Sequence, residues 1–210
     1  MLEKFIESDN DRILASFITI SNIFIIEYFM FGLLNDGGKS AMHVPRINLS
    51  KLLPIIFIIV YTIVIGFEYT QGKSYIDSDM AAEMVMAKQL NDEGVLISEN
   101  WYYGTEFRVL CEPTLYKLTL ALFPDNWHMA RVSAKAVVLL LLAAAFFYLC
   151  KMLKLPKVAC WLGATVIIMP FGFWNAFHSI MGPIYATHMI YVILLMSLTV
   201  HYTRGGVLLA

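Results

Sequence analysis

Five apolar stretches, each close to the length of a membrane-crossing helix, constrain this chain more than any other feature. A spanning helix needs about 20 consecutive, mostly apolar residues. Ile13–Leu34 has that length, although it carries Ser16, Asn22 and Glu27. Leu52–Phe67 is shorter and almost wholly apolar. Val132–Leu153 holds the unbroken run VVLLLLAAAFFYL, Val158–Phe177 is interrupted by Pro170 and Gly172, and Ile184–Tyr202 is the last. Lipid offers the backbone no hydrogen bonds, so each segment must satisfy its own, which a helix does. The expected fold class is therefore all-α: a polytopic integral membrane protein of about five transmembrane helices, with further helices at the membrane interface.

Composition agrees. The chain is 59% hydrophobic and 15% charged, whereas soluble domains hold about 45–50% apolar and about 25% charged residues. The net charge of −1, with no basic arm and no aromatic–basic interleaving, excludes nucleic acid as a partner. Membrane lipid is the expected surrounding. Cys111, Cys150 and Cys160 make neither a disulfide framework nor a paired-cysteine metal signature, and read as unpaired structural thiols. The N-terminus MLEKFIESDNDR lacks the basic leader of a cleavable signal, so the first apolar run is expected to be retained.

Lysine and arginine near span ends set orientation. The connection KMLKLPK carries three lysines and no acid, which predicts a cytoplasmic location. Asn35–Lys51, two spans earlier, carries Lys39, Arg46 and Lys51 against Asp36 and falls on the same side by alternation, as does Arg204. Residues 1–51 are thus an N-terminal span with its cytoplasmic connection, and residues 52–210 a membrane core. That core includes a long outer loop, Tyr69–Arg131, and a short outer turn, Phe177–Pro183.

The loop carries nine acids (Asp77, Asp79, Glu83, Asp92, Glu93, Glu99, Glu106, Glu112 and Asp125) against five bases. Ser78–Asn91 is rich in strong helix formers, with Asp77 or Ser78 to cap it and Gly94 to stop it. Its apolar residues are too few to span, which fits a helix lying along the interface. Pro113–Phe123 is a second helix, stopped by Pro124. Between them Trp101, Tyr102 and Tyr103 are of the types enriched at headgroup level. The tail RGGVLLA reads as the opening of a sixth span, and the chain as the N-terminal part of a longer protein.

Asp77 and Asp79 follow the second span closely, and Glu83 lies one turn beyond Asp79 on the same helix face. Acids at a helix N-terminus are favoured by its dipole, so a capping role alone accounts for both aspartates. A carboxylate just outside the bilayer is also placed to take a proton from an acceptor hydroxyl. No hydrolase elbow and no Gly-rich phosphate loop occurs. A divalent metal has no dedicated ligand pattern, and no cofactor is expected. Arg108 and Arg131 are outer cations able to meet a lipid phosphate, and His178 and His188 flank the last outer turn. Glu27 reads either as a functional group inside the first span or as a glutamate snorkelling from its end.

The runs SDMAAEMVMAKQLNDEGVLISENWYYGTEF and EPTLYKLTLALFPDNWHMARVSAKAVVLLLLAAA resemble the first outer loop and following helix of GT-C glycosyltransferases, in the bacterial branch related to protein O-mannosyltransferases. Ser78, Asp79 and Ala81 match an acidic motif, Met86 and Ala87 the helix after it, and Gly94 its stop. Tyr103 and Gly104 match an aromatic–glycine pair, and Arg131 the arginine that enters the next span. The resemblance covers roughly residues 60–150. Met80 stands where many members have glutamate, which leaves Asp79, helped by Asp77, as the catalytic acid–base. What the resemblance implies is transfer of a sugar from a polyprenyl-phosphate donor to an acceptor hydroxyl on the non-cytoplasmic face. Arg131 is implied on the donor phosphate, with Glu83, Tyr103, Arg108 and His188 completing the substrate-binding set. Such enzymes have eight or more spans, with donor-binding parts beyond the fifth, which leaves open whether a chain ending at Ala210 is active alone. The other expected readings are a non-catalytic polytopic membrane protein and a transporter fragment.

Overall fold

Apolar runs become long helices, as a bilayer demands. The computed structural model describes residues 48–103, 111–169 and 185–206, and every regular element among them is helical. In chain order these are α1 (Leu49–Gln71), a 3-10 turn (Gly72–Tyr75), α2 (Ser78–Glu93), α3 (Glu112–Leu122), α4 (Trp127–Leu153), α5 (Lys157–Ile168) and α6 (Tyr185–Gly206). The first expected span with Glu27, the bases Lys39, Arg46 and Arg108, and the outer turn with His178 lie outside the described residues.

Three helices are long and apolar enough to cross a membrane: Leu49–Tyr75, Trp127–Leu153 and Tyr185–Thr203. They correspond to the expected spans two, three and five. The first two have 27 residues each, or about 40 Å at 1.5 Å per residue. Both overrun the apolar runs that predicted them, because α1 continues through Glu68 and α4 begins before Arg131, two charged residues that pair inside the protein. α5 is only 12 residues long. It stops where Met169 turns extended, at φ −85° and ψ 129°. Met169 precedes Pro170, whose ring disfavours helical backbone at the residue before it.

The two shorter helices α2 and α3 form where the sequence places them, and α2 keeps its expected cap and stop. Asp77 caps α2, its carboxylate accepting from the Met80 N–H at 2.8 Å. Gly94 ends the helix in the left-handed region, at φ 69°. A Cβ added at Gly94 would meet nothing within 4 Å, so only the backbone resists substitution. Gly94→Ala is therefore expected to cost about 1–2 kcal/mol, the penalty of left-handed backbone for an L-residue. Urea or thermal unfolding of the solubilised protein measures it, and an unchanged midpoint would mean that the chain leaves α2 by another route.

α4 organises the rest. It packs against α1, α3, α5 and α6, and touches α2 through Arg131 and Met80. Its buried small residues Ala130, Ala134, Ala143 and Ala145 let neighbours approach closely. Within the membrane-length part, Phe57, Val64, Leu139, Ala143, Ala164 and Ile168 make one apolar cluster, and Leu142, Ala145, Leu149 and Ile193 another. Lipid tails are as apolar as these side chains, so close packing rather than release from water holds them. Phe57 lies edge-on to Phe147 and Trp161, at centroid distances of 6.4 and 5.7 Å, and the Tyr61 hydroxyl donates to the Ala136 carbonyl at 3.1 Å. Toward the chain's polar end, Met84, Ala87, Tyr116, Leu120, Ala130 and Ala134 join α2, α3 and α4. Burial from water drives this cluster, at roughly 1.5–3 kcal/mol per large side chain.

Candidate functional site

Five charged side chains are almost wholly buried where α1, α2, α3 and α4 meet: Glu68 (0% exposed), Glu83 (1%), Glu112 (0%), Arg131 (2%) and Lys135 (1%). Burying charge is unfavourable unless it is paired, and the pairing is direct. Arg131 Nη2 lies 3.2 Å from Glu68 Oε1, and Lys135 Nζ lies 2.7 Å from Glu112 Oε1. Arg131 and Lys135 are one helical turn apart on α4, so one face of that helix presents both cations. Each of the two cations acts electrostatically on both Glu68 and Glu112. Burial holds the Glu112 carboxyl above the usual carboxylate range, against the pull of Lys135 and Arg131. Tyr116, fully enclosed one turn along α3, has its hydroxyl pushed well above the usual phenol range by burial and by Glu112.

Arg131 also fixes the backbone. Its Nη1 donates to the Gly72 carbonyl at 3.2 Å, and its Nη2 meets the Met80 sulfur at 3.3 Å. Met80 is the residue whose N–H Asp77 caps. One guanidinium thus gathers the end of α1, the 3-10 turn and the first turn of α2. His128 adds a second tie, donating from Nε2 to the Tyr69 carbonyl at 2.7 Å. Gly72 is required for its size: a Cβ there would lie 2.9 Å from both Cδ and Oε1 of Glu68. Because Arg131 holds that carboxylate, it has little room to retreat. Gly72→Ala is expected to lower stability by about 1–3 kcal/mol, the usual penalty of overpacking. A thermal midpoint equal to wild type would show that Glu68 can step aside.

The residues singled out from the sequence separate into three places. Asp77, Glu83 and Arg131 come together at the start of α2 with its buried face inward. Asp79 sits in the same first turn but faces outward, exposed and without a hydrogen bond or ion pair among the described residues. Tyr103 lies apart: its hydroxyl accepts from the Ser98 N–H at 2.7 Å and closes the loop that follows α2. The same loop is held by Lys117, which donates to the Val95 carbonyl at 2.6 Å, and by Asn100, which donates to Glu93 at 3.0 Å. His188 stands on α6, exposed at the surface yet within electrostatic reach of Glu112. Arg108 lies outside the described residues.

Glu68, Glu112 and Lys135 belong to the site although the sequence reading gave them no part in it. A signal existed for two of them. Glu68 directly follows an apolar run, and Lys135 stands inside one, one turn after Arg131. An ionisable residue at such a position needs a partner.

Chemically, the arrangement offers an outward carboxylate on a helix turn clamped from below by buried charge. Among the described residues, no three His, Cys, Asp or Glu side chains converge as a metal-holding group. Compared with protein-family models, curated proteins and solved structures, the chain finds no significant match.

Proposed function

We propose that this chain is a multi-pass membrane protein of about five spans that transfers a sugar from a polyprenyl-phosphate donor to an acceptor hydroxyl on the non-cytoplasmic face. Residues 69–131 form the outer segment. Asp79 is the base: it takes the proton of the acceptor hydroxyl as that oxygen attacks the anomeric carbon, and the polyprenyl phosphate leaves from the opposite side.

One observation carries the reading. Asp79 is an exposed carboxylate only four residues beyond the end of a membrane-length helix, Leu49–Tyr75. Four residues reach at most about 14 Å even when extended. A donor with its tail in the bilayer carries its phosphate and sugar at the same height. The turn that bears Asp79 is held by Asp77 and Met80 against Arg131. A base must keep its distance to the reacting hydroxyl, and a clamped helix turn provides that. Arg131 acts here as a positioning residue, since its guanidinium is buried among Glu68, Gly72 and Met80.

The second reading is a non-catalytic membrane protein in which the buried charges are a structural clamp. The mutual pairing of Arg131 with Glu68 and of Lys135 with Glu112 favours it. Asp79→Asn separates the two, assayed for sugar transfer from lipid-linked donor in membranes of the protein's own cells. The transferase reading expects product to collapse while the protein stays folded. Product at the wild-type level removes Asp79 from the reaction and leaves the clamp.

A further inference from the structure

We propose that a groove between α3 and α6 binds one acyl chain of a net-neutral bilayer phospholipid. Such binding requires α4 and α6 to lie in a bilayer and is independent of sugar transfer. Both helices are long and apolar enough to cross a membrane. α3 and α6 each pack on α4, and a cavity of about 510 Å³ lies between them, with Ala144 and Ala145 of α4 in its lining. An alanine leaves most of the space beside its backbone unfilled. Ala145 is buried and Ala144 exposed, so the groove opens sideways along α4. Its walls run from Leu141 to Tyr148 on α4 and from Thr187 to Leu194 on α6, about 10 Å in each case at 1.5 Å per residue.

Shape and polarity select the occupant. A volume of about 510 Å³ spread over that length is about 7 Å wide, whereas a helix with its side chains is about 10–12 Å across. A further helix is therefore too thick, and a single hydrocarbon chain is not. Among the described residues that line the groove, none is charged, and Glu112, next to Cys111, is paired with Lys135. A ligand held by its phosphate or carboxylate needs a cation in that place. Small polar groups come from Cys111, Thr114 and Thr187, and Thr187 stands in the first turn of α6, at the outer end of that span. The rest of the lining is apolar or aromatic. A glycerophospholipid has the same order, with uncharged ester groups at the interface and hydrocarbon below. Lipid tails are as apolar as these walls, so release from water does not drive the chain in. Dispersion contact with a preformed concave wall does. The bound chain touches α3, α4 and α6 at once, and braces the helix that carries Glu112 against the last described span.

The test uses the full chain in vesicles of phosphatidylcholine that carries a photoactivatable diazirine midway along one acyl chain. After irradiation and digestion, mass spectrometry reads the label on the α3 peptide that holds Thr114 and Leu115, two residues of the groove lining. Label is expected there, and protein purified from the same vesicles in mild detergent should retain a single phosphatidylcholine in native mass spectra. Ala144→Trp and Leu194→Trp fill the groove from opposite walls, each from an exposed position, and each should abolish both signals. Leu195→Trp, exposed on the same span outside the groove, should leave both unchanged. Label that never reaches Thr114 or Leu115, because the apolar run Ile13–Leu34 or a second copy covers them, overturns the proposal. So do label that survives both groove-filling variants and, in protein purified from cell membranes, a retained mass that is a polyprenyl phosphate instead of a phospholipid.

Discussion

Replacing Lys135 with methionine is expected to destabilise the protein by about 3–5 kcal/mol, the usual consequence of stranding one charge of a buried pair. Methionine fills much the same volume, so the loss is electrostatic rather than a packing defect. Lys135 Nζ is 2.7 Å from Glu112 Oε1, and Glu112 is completely enclosed. The double variant Lys135→Met/Glu112→Leu should regain most of the loss, since an apolar pair is often no worse than the ion pair it replaces. Thermal unfolding of the two single variants and the double variant gives the coupling. The pH dependence carries a definite sign. Burial raises the Glu112 carboxyl even beside Lys135, so folding takes up a proton there. The associated stability is complete below the ordinary carboxylate range and is lost as pH climbs through the raised value in the folded protein. Without Lys135 that value moves further up. The variant should therefore lie closest to wild type in acid and furthest from it near neutrality. A loss under about 1 kcal/mol, with additive single effects, would mean that the pair is not buried in the working protein.

The sequence revealed elements more readily than the contacts among them, and particular residues show why. α2 was legible to within two residues because its signals are local: Asp77 supplies the cap, Gly94 the left-handed stop, and helix formers the interval. α4 and α6 were legible because lipid imposes length and apolarity on any span. The buried network was not, since pairing between Glu68 and Arg131 joins residues 63 positions apart, and no local pattern specifies it. From the sequence Arg131 is a cation suited to phosphate, whereas its guanidinium turns inward to the Gly72 carbonyl and the Met80 sulfur. Met80 takes on a physical role here. A thioether can lie in the apolar cluster of Phe57 and Leu139 while touching the guanidinium. A glutamate at that position would add another acid beside Glu68. Tyr103, in the sequence an interface aromatic and a substrate-binding candidate, completes a hydrogen-bonded loop through its hydroxyl.

Asp79→Asn is expected to lower sugar transfer by roughly 10²- to 10⁴-fold, the usual contribution of a positioned general base. The fold should barely respond. Asp79 is exposed and bonds to nothing among the described residues, so its charge contributes only the helix-dipole term, about 0.3–1 kcal/mol. Asp77 supplies the internal control, because its structural and chemical roles make opposite demands. Its carboxylate caps α2 through the Met80 N–H, and asparagine caps a helix about as well as aspartate. Asp77→Asn should then leave both stability and transfer near wild type if Asp77 only holds the turn, whereas Asp77→Ala should cost about 1 kcal/mol of stability. A large fall in transfer for Asp77→Asn at unchanged stability would make Asp77 the base instead. Transfer at wild-type level in both asparagine variants would leave the outward carboxylates without a chemical task. The buried charges would then serve only to join a span to the helix that follows it.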